Sequence, residues 1–226
     1  MYSLHYPINW ARKSIRQRGL LKTFEIAVSA FVDIEFDLYY RTDTTRWVDM
    51  DSLEFVSENK AHAVLYQPTK ARALRKLLRQ LNLPKDGTFI DLGSGKGRAL
   101  LVAMQFGFAR IIGVEFSPEL CAVARQNVKI FTRRIKTSSH VDIIESDVTK
   151  YHFDSQTNVF FMYNPFDKVI MDYLIENMQN SLLQSPRKIS LIYNTPNCAE
   201  LFASSGLFVA HEAFESGGTR FQVYNN

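Results

Sequence analysis

The stretch Phe89-Ile90-Asp91-Leu92-Gly93-Ser94-Gly95-Lys96-Gly97-Arg98 is the densest set of residues able to do chemistry in this chain. Three glycines stand on alternate positions behind a carboxylate. Glycine accepts positive φ and lets a ligand lie directly against the backbone. An apolar strand, 88–92, runs into these glycines, and a helical pattern, 98–106, follows at once. The free N–H groups of the turn and of the helix start, with the positive end of the helix dipole behind them, suit a small anionic or zwitterionic cofactor. Three other places carry polar groups where strands end: Glu115-Phe116, Asp147-Val148 and Tyr163-Asn164-Pro165-Phe166.

Three ligand classes use loops of this kind. A P-loop requires Gly, four residues, then Gly-Lys-Ser/Thr. Here Gly97 follows Gly95-Lys96 and Ile90 stands five before Gly95, so the pattern fails. A nicotinamide dinucleotide fingerprint requires Gly or Ala three residues after the second glycine, where this chain has Arg98. Asp-x-Gly-x-Gly-x-Gly is met in full by Asp91, Gly93, Gly95 and Gly97. At this loop the sequence resembles the class I S-adenosylmethionine-dependent methyltransferases. The resemblance implies that the loop, Ser94 included, passes under the methionine part of the cofactor and that Asp91 helps to hold it. It also implies that Asp147 accepts from the adenine amino group while Val148 donates its N–H. An Asp at that place is equally able to cap a turn.

Glu115 stands eighteen residues after Gly97 at the end of the second strand. In a doubly wound sheet, ligands sit outside the carboxyl ends of strands, so this carboxylate can accept from both ribose hydroxyls. Phe116 beside it can pack on the adenine or belong to the core. Tyr163-Asn164-Pro165-Phe166 is similar to the Asn/Asp-Pro-Pro-aromatic motif of methyltransferases that act on amino or amide nitrogens, without its second proline. That likeness implies that Asn164 and the Pro165 carbonyl accept from the nitrogen and that Phe166 packs against it. The same tetrapeptide also reads as a turn that ends a strand. Tyr66-Gln67-Pro68-Thr69, taken with the glycine loop, resembles seven-strand lysine methyltransferases outside the SET class and small bacterial methyltransferase-like proteins. It implies that Tyr66 and Thr69 close over the cofactor.

The elements that must position these residues alternate. Strands are predicted at 88–92, 110–116, 140–146, 158–163 and 188–193, with helices at 98–106, 117–136, 168–183 and 197–205. Ser117-Pro118-Glu119 is a helix start with Ser as N-cap and Pro at N1. The nearly continuous apolar run 158–163 belongs in the middle of the sheet. Segments 207–214 and 219–224, joined by Ser216-Gly217-Gly218, form a closing hairpin. The expected fold is α/β: a doubly wound, mainly parallel seven-stranded sheet with a C-terminal antiparallel hairpin and an N-terminal helical extension. Ala71, Leu74, Leu77, Leu78 and Leu81 give one more helix an apolar face, and Arg72, Arg75, Lys76 and Arg79 give it a basic one.

Residues 1–60 lack the strand–helix rhythm, which divides the chain into an extension or lid, 1–60, and a cofactor-binding domain, 61–226. Residues 8–30 read as one or two helices broken at Gly19, and 36–43 as an ordered loop or short helix. Because the sheet is complete without this segment, removal of 1–40 is expected to leave cofactor affinity within a few-fold. The charge balance, 27 bases against 23 acids, does not by itself point to nucleic acid. The basic runs read as solvated helix faces. Two cysteines outside any metal-ligand spacing, and no signal peptide or membrane span, point to the cytoplasm and to no metal. The sequence therefore predicts a cytoplasmic methyltransferase whose acceptor is a nitrogen of a protein or small molecule; the alternatives are a nucleic-acid methyltransferase and a non-catalytic S-adenosylmethionine-binding protein.

Overall fold

The computed structural model describes residues 13–17, 19–46, 67–164 and 166–226. Seven strands form one sheet in the order β3-β2-β1-β4-β5-β7-β6. They are β1 (Thr88–Leu92), β2 (Arg110–Glu115), β3 (His140–Glu145), β4 (Thr157–Tyr163), β5 (Ser190–Asn194), β6 (Val209–Ser216) and β7 (Thr219–Asn225). The first five are parallel. β7 runs antiparallel to β5, and β6 antiparallel to β7. β4 is the central strand, as its apolar run requires. Gly217 and Gly218 both take positive φ in the connection, the hairpin geometry that follows strand twist.

The strand order reverses between β1 and β4. The carboxyl ends of those two strands therefore border the crevice in which a doubly wound sheet binds its ligand. Helices α1 (Leu20–Tyr40), α2 (Ala71–Gln80), α3 (Arg98–Gln105) and α4 (Pro118–Thr132) lie on one face of the sheet. Helices α5 (Lys168–Gln184) and α6 (Ala199–Ser204) lie on the other. Alternate side chains of each parallel strand feed the two cores: Phe89 and Phe161 face one, Ile90 and Phe160 the other. Among the described residues, no helix is long and apolar enough to cross a membrane.

Local chemistry sets the helix boundaries. Ser117 accepts from the Leu120 N–H with Pro118 in the first turn, and Asp167 caps α5 through Val169 and Ile170. In α2, Ala71, Leu74, Leu77 and Leu78 are buried, whereas Arg72, Lys76 and Arg79 face solvent. Gly19, at φ 84, separates the helical residues 13–17 from α1. The break falls where the sequence places it, but α1 continues to Tyr40. Residues 36–40, read as loop or short helix, are its last turns because Phe36 and Tyr40 pack on Phe131 of α4.

Candidate functional site

The turn after β1 is built from backbone hydrogen bonds that only a tight path can make. Gly93 and Ser94 both donate to the Val114 carbonyl of β2, at 2.9 and 3.0 Å. Gly97 donates to Ser94 at 2.8 Å. Gly93, Gly95 and Gly97 take φ of 78, 52 and 83°, a region that a side chain strains. The turn also depends on a glycine outside the motif. A Cβ on Gly113 of β2 would stand 2.7 Å from the Ser94 hydroxyl and from Leu100. Sequence reasoning missed Gly113 because nothing local marks a strand glycine that another loop crosses.

Two buried carboxylates face this turn. Glu115 accepts from Gly95 N at 2.8 Å through one oxygen, and from Phe116 N and Ser117 N at 3.0 Å through the other. Burial nevertheless raises its pKa, and the three N–H bonds only moderate the rise. Asp91, buried in β1, is raised well above the usual carboxylate value by burial and then by the Glu115 charge. The Ser94 hydroxyl is buried with no hydrogen-bond partner among the described residues. A pair of strained acids, an unspent hydroxyl and a glycine turn fit a ligand that brings both positive charge and hydroxyl groups. S-adenosylmethionine has both, in its sulfonium, its ammonium and its ribose.

A pH dependence follows. Both folded pKa values lie above the unfolded ones, so in that window the folded protein holds protons that the unfolded chain has released. Stability of the ligand-free protein should fall as pH rises from about 4 upward through this window. Affinity for the cationic cofactor should rise over the same range, because its charge favours the ionised acids. Melting and calorimetric titrations at a series of pH values measure both, and an affinity flat with pH would contradict the assignment.

The remaining expected site residues fall around this centre. Phe116 is half-buried beside Glu115. Asp147 caps the short 3-10 turn Val148–Lys150, accepting from Thr149 N and Oγ1 at 2.9 and 2.8 Å. Val148 is buried. Asn164 ends β4 with φ 36, and its amide oxygen accepts from the Tyr193 hydroxyl at 3.1 Å. Phe166 packs into the core on the α5 side. Tyr163 donates to Gln67 at 2.9 Å, which ties the chain entering α2 to the end of β4, and Thr69 is buried nearby. Tyr66 and Pro165 lie outside the described residues. Among the described residues no cluster of His, Cys, Asp or Glu could hold a metal.

Two cations of the glycine loop were missed as structural centres. Lys96 and Arg98 are 3% and 2% exposed. Arg98 opens α3, where a positive charge opposes the helix dipole and needs neutralising. Its guanidinium lies 3.1 Å from Asp33 and 3.2 Å from Asp37, both on α1, and its Nε donates to Thr44 at 2.6 Å. Lys96 lies 3.4 Å from Asp43 and donates to the Arg46 carbonyl at 2.9 Å. Asn127 of α4 joins both parts, donating to the Asp43 and Lys96 carbonyls at 3.0 Å and accepting from Asp43 N. Burial alone would raise the Asp37 pKa, but hydrogen bonds from Thr45, Thr44 and Thr42 together with the Arg98 charge bring it below normal. The available signal was a pair of bases inside an otherwise buried loop, opposite an Asp- and Thr-rich segment at 33–45.

A seven-stranded sheet in this order, with Asp-x-Gly-x-Gly-x-Gly after β1 and an acid ending β2, defines a class I S-adenosylmethionine-dependent methyltransferase. A model of the family described as histone methylation protein DOT1 matches residues 46–191, and the chain belongs to that family. The fold is shared with a methyltransferase from Aquifex aeolicus (TM-score 0.54, 15% identity, 67% of this chain and 88% of that one). It is also shared with a putative RNA methyltransferase from Pyrococcus horikoshii (0.51, 17%, 78% and 90%). An RNA methyltransferase from Salinibacter ruber, crystallised with S-adenosyl-L-homocysteine, is similar as well (0.50, 19%, 70% and 92%). At these identities the likeness is one of fold. No curated protein matches the chain.

Proposed function

We propose that the acceptor is a nitrogen of a protein side chain or small molecule, brought to the carboxyl ends of β1 and β4. The observation that carries this reading is that Asn164, of the sequence Tyr163-Asn164-Pro165-Phe166, directly follows the central strand β4, the neighbour of β1 and its glycine turn. Gly93, Ser94, Gly95, Gly97 and Asp91 would hold the methionine part of the cofactor, Glu115 the ribose, and Phe116, Asp147 and Val148 the adenine. Tyr66 and Thr69 would close over it. The bound cofactor supplies an electrophilic sulfonium methyl for direct displacement by the nitrogen lone pair. The protein's share is alignment. The Asn164 amide oxygen and the Pro165 carbonyl would take the nitrogen's hydrogens, with Phe166 behind them. The Asn164 amide oxygen has a second lone pair with which it could accept from the nitrogen while the Tyr193 hydroxyl holds it in place. A lysine amine, with an ordinary pKa of ~10.4, would give up its proton before attack.

We read the extension as part of the frame of the site, since its Asp33, Asp37 and Asp43 neutralise the loop cations. We place the protein in the cytoplasm, where Cys121 and Cys198 would stay reduced as the free thiols they are. The deciding experiment incubates the protein and labelled S-adenosylmethionine with fractionated cell extract. Label in protein or in amine-bearing small molecules is expected, and it should be lost with Asn164→Ala. Label confined to nucleic acid would replace this reading with the RNA or DNA alternative.

A further inference from the structure

Helix α1 uses only one of its faces. Thr23, Ile26, Asp33, Phe36 and Asp37 are buried against the protein. Turned away from them, Leu20, Phe24, Ala27, Phe31, Ile34 and Leu38 are exposed. Their spacing is four, three, four, three and four residues, the a/d repeat of a coiled coil. The five large members are 52–74% exposed. At ~200 Å² for a side chain of this size, the stripe presents on the order of 600 Å² of apolar surface, the upper range for a monomer.

We infer that this stripe pairs, antiparallel, with the same stripe of a second copy of the chain. The pattern is symmetric about position 29. Antiparallel pairing sets Leu20 against Leu38, Phe24 against Ile34 and Ala27 against Phe31, so each small residue meets a large one. Parallel pairing would stack Phe on Phe in two layers and leave a hole at Ala27 on Ala27. The second copy's Leu20 and Leu21 come over the groove between α1 and α4, whose walls include Ile34, Leu38, Ala122, Val123 and Ile130. That groove extends the contact toward the ~800 Å² per partner of an ordinary stable interface. A membrane surface fits less well. Among the described side chains of α1 the exposed charges are Glu35 and Lys22, and Lys22 is paired with Glu215, so the helix offers no free base to an anionic bilayer.

Sedimentation and light scattering on the full chain should give twice the 26.0 kDa chain mass. Phe31→Glu, at a position exposed in the single chain, should weaken the dimer by at least about tenfold while S-adenosylmethionine affinity stays unchanged. Orientation is read by disulfide trapping in a Cys198→Ser background. Leu20→Cys mixed with Leu38→Cys should cross-link, and neither alone should. This measurement stands even if the glutamate variant folds poorly. A monomer at every attainable concentration overturns the inference. So does cross-linking of Leu20→Cys with itself, or capture of a monomer by phosphatidylglycerol vesicles.

Discussion

Replacing Arg98 with methionine is expected to destabilise the protein by about 3–5 kcal/mol, the usual cost of breaking a buried ion pair and leaving its partner charged. For a chain of this size that lowers the melting temperature by roughly 10 °C. Arg98 is enclosed by Asp33, Asp37 and Thr44, and without it two carboxylates on α1 face each other inside the protein. The glycine turn should loosen as well, because Arg98 begins the helix that the turn leads into. A triple variant, Asp33→Asn with Asp37→Asn and Arg98→Met, should recover part of the loss, since it removes the stranded charges. If Arg98→Met melts within about 1 °C of the parent, the triad is not holding the extension on. The same contacts reverse the expectation that residues 1–40 can be removed without disturbing the cofactor. Deletion takes away Asp33 and Asp37 and leaves a buried guanidinium at a helix N-terminus. Cofactor binding should be lost together with stability, so that truncation cannot isolate a role in covering the acceptor.

The second large effect is expected from Glu115→Ala. A carboxylate that served only the ribose would be worth about one to two orders of magnitude in affinity, at ~1.5–3 kcal/mol for hydrogen bonds to a charged group. Here the side chain also accepts from Gly95, Phe116 and Ser117 N–H groups, which its removal leaves unpaired in the interior. Affinity should therefore fall by more than about two orders of magnitude, and the melting temperature should fall with it. Glu115→Gln keeps acceptor oxygen at the turn and should lose less of both. Calorimetry with S-adenosylhomocysteine, paired with thermal melting, separates the two roles. An affinity loss with unchanged melting would leave Glu115 as a ligand contact alone and deny it the turn. Gly95→Val should give a combined loss at the same loop. A β-branched residue at φ 52 strains the backbone and fills the ligand's place together, so both readouts should fall.

Much of the architecture was legible in the chain because its signals are local. Strand 88–92 is five buried residues long, the helix after it starts at a glycine cap, and Ser117-Pro118 sets the next helix through its own N–H groups. Alternation of such units leaves few topologies, since parallel connections are right-handed and short. Asp91, the three glycines and Glu115 converge because strand ends of one parallel sheet converge. Asp147 and Asn164 follow strand ends, where the sequence pattern puts them, but their contacts with Thr149 and Tyr193 were not legible.

What the tertiary structure decided is pairing across long stretches of sequence. Gly113 matters because the loop after β1 crosses it, which no pattern within β2 reveals. The glycine motif does not tell where the Lys96 and Arg98 side chains go. They are buried because acids 53 to 65 residues upstream fold over them. The two faces of α1 show the same division. Its heptad spacing is written in the sequence, but which face docks was chosen by charge: Asp33 and Asp37 had to reach Arg98, and that choice turned Leu20, Phe24, Phe31 and Leu38 outward. Burial of one unpaired cation costs more than exposure of several apolar side chains, so electrostatics fixed the rotation of the helix and hydrophobicity followed.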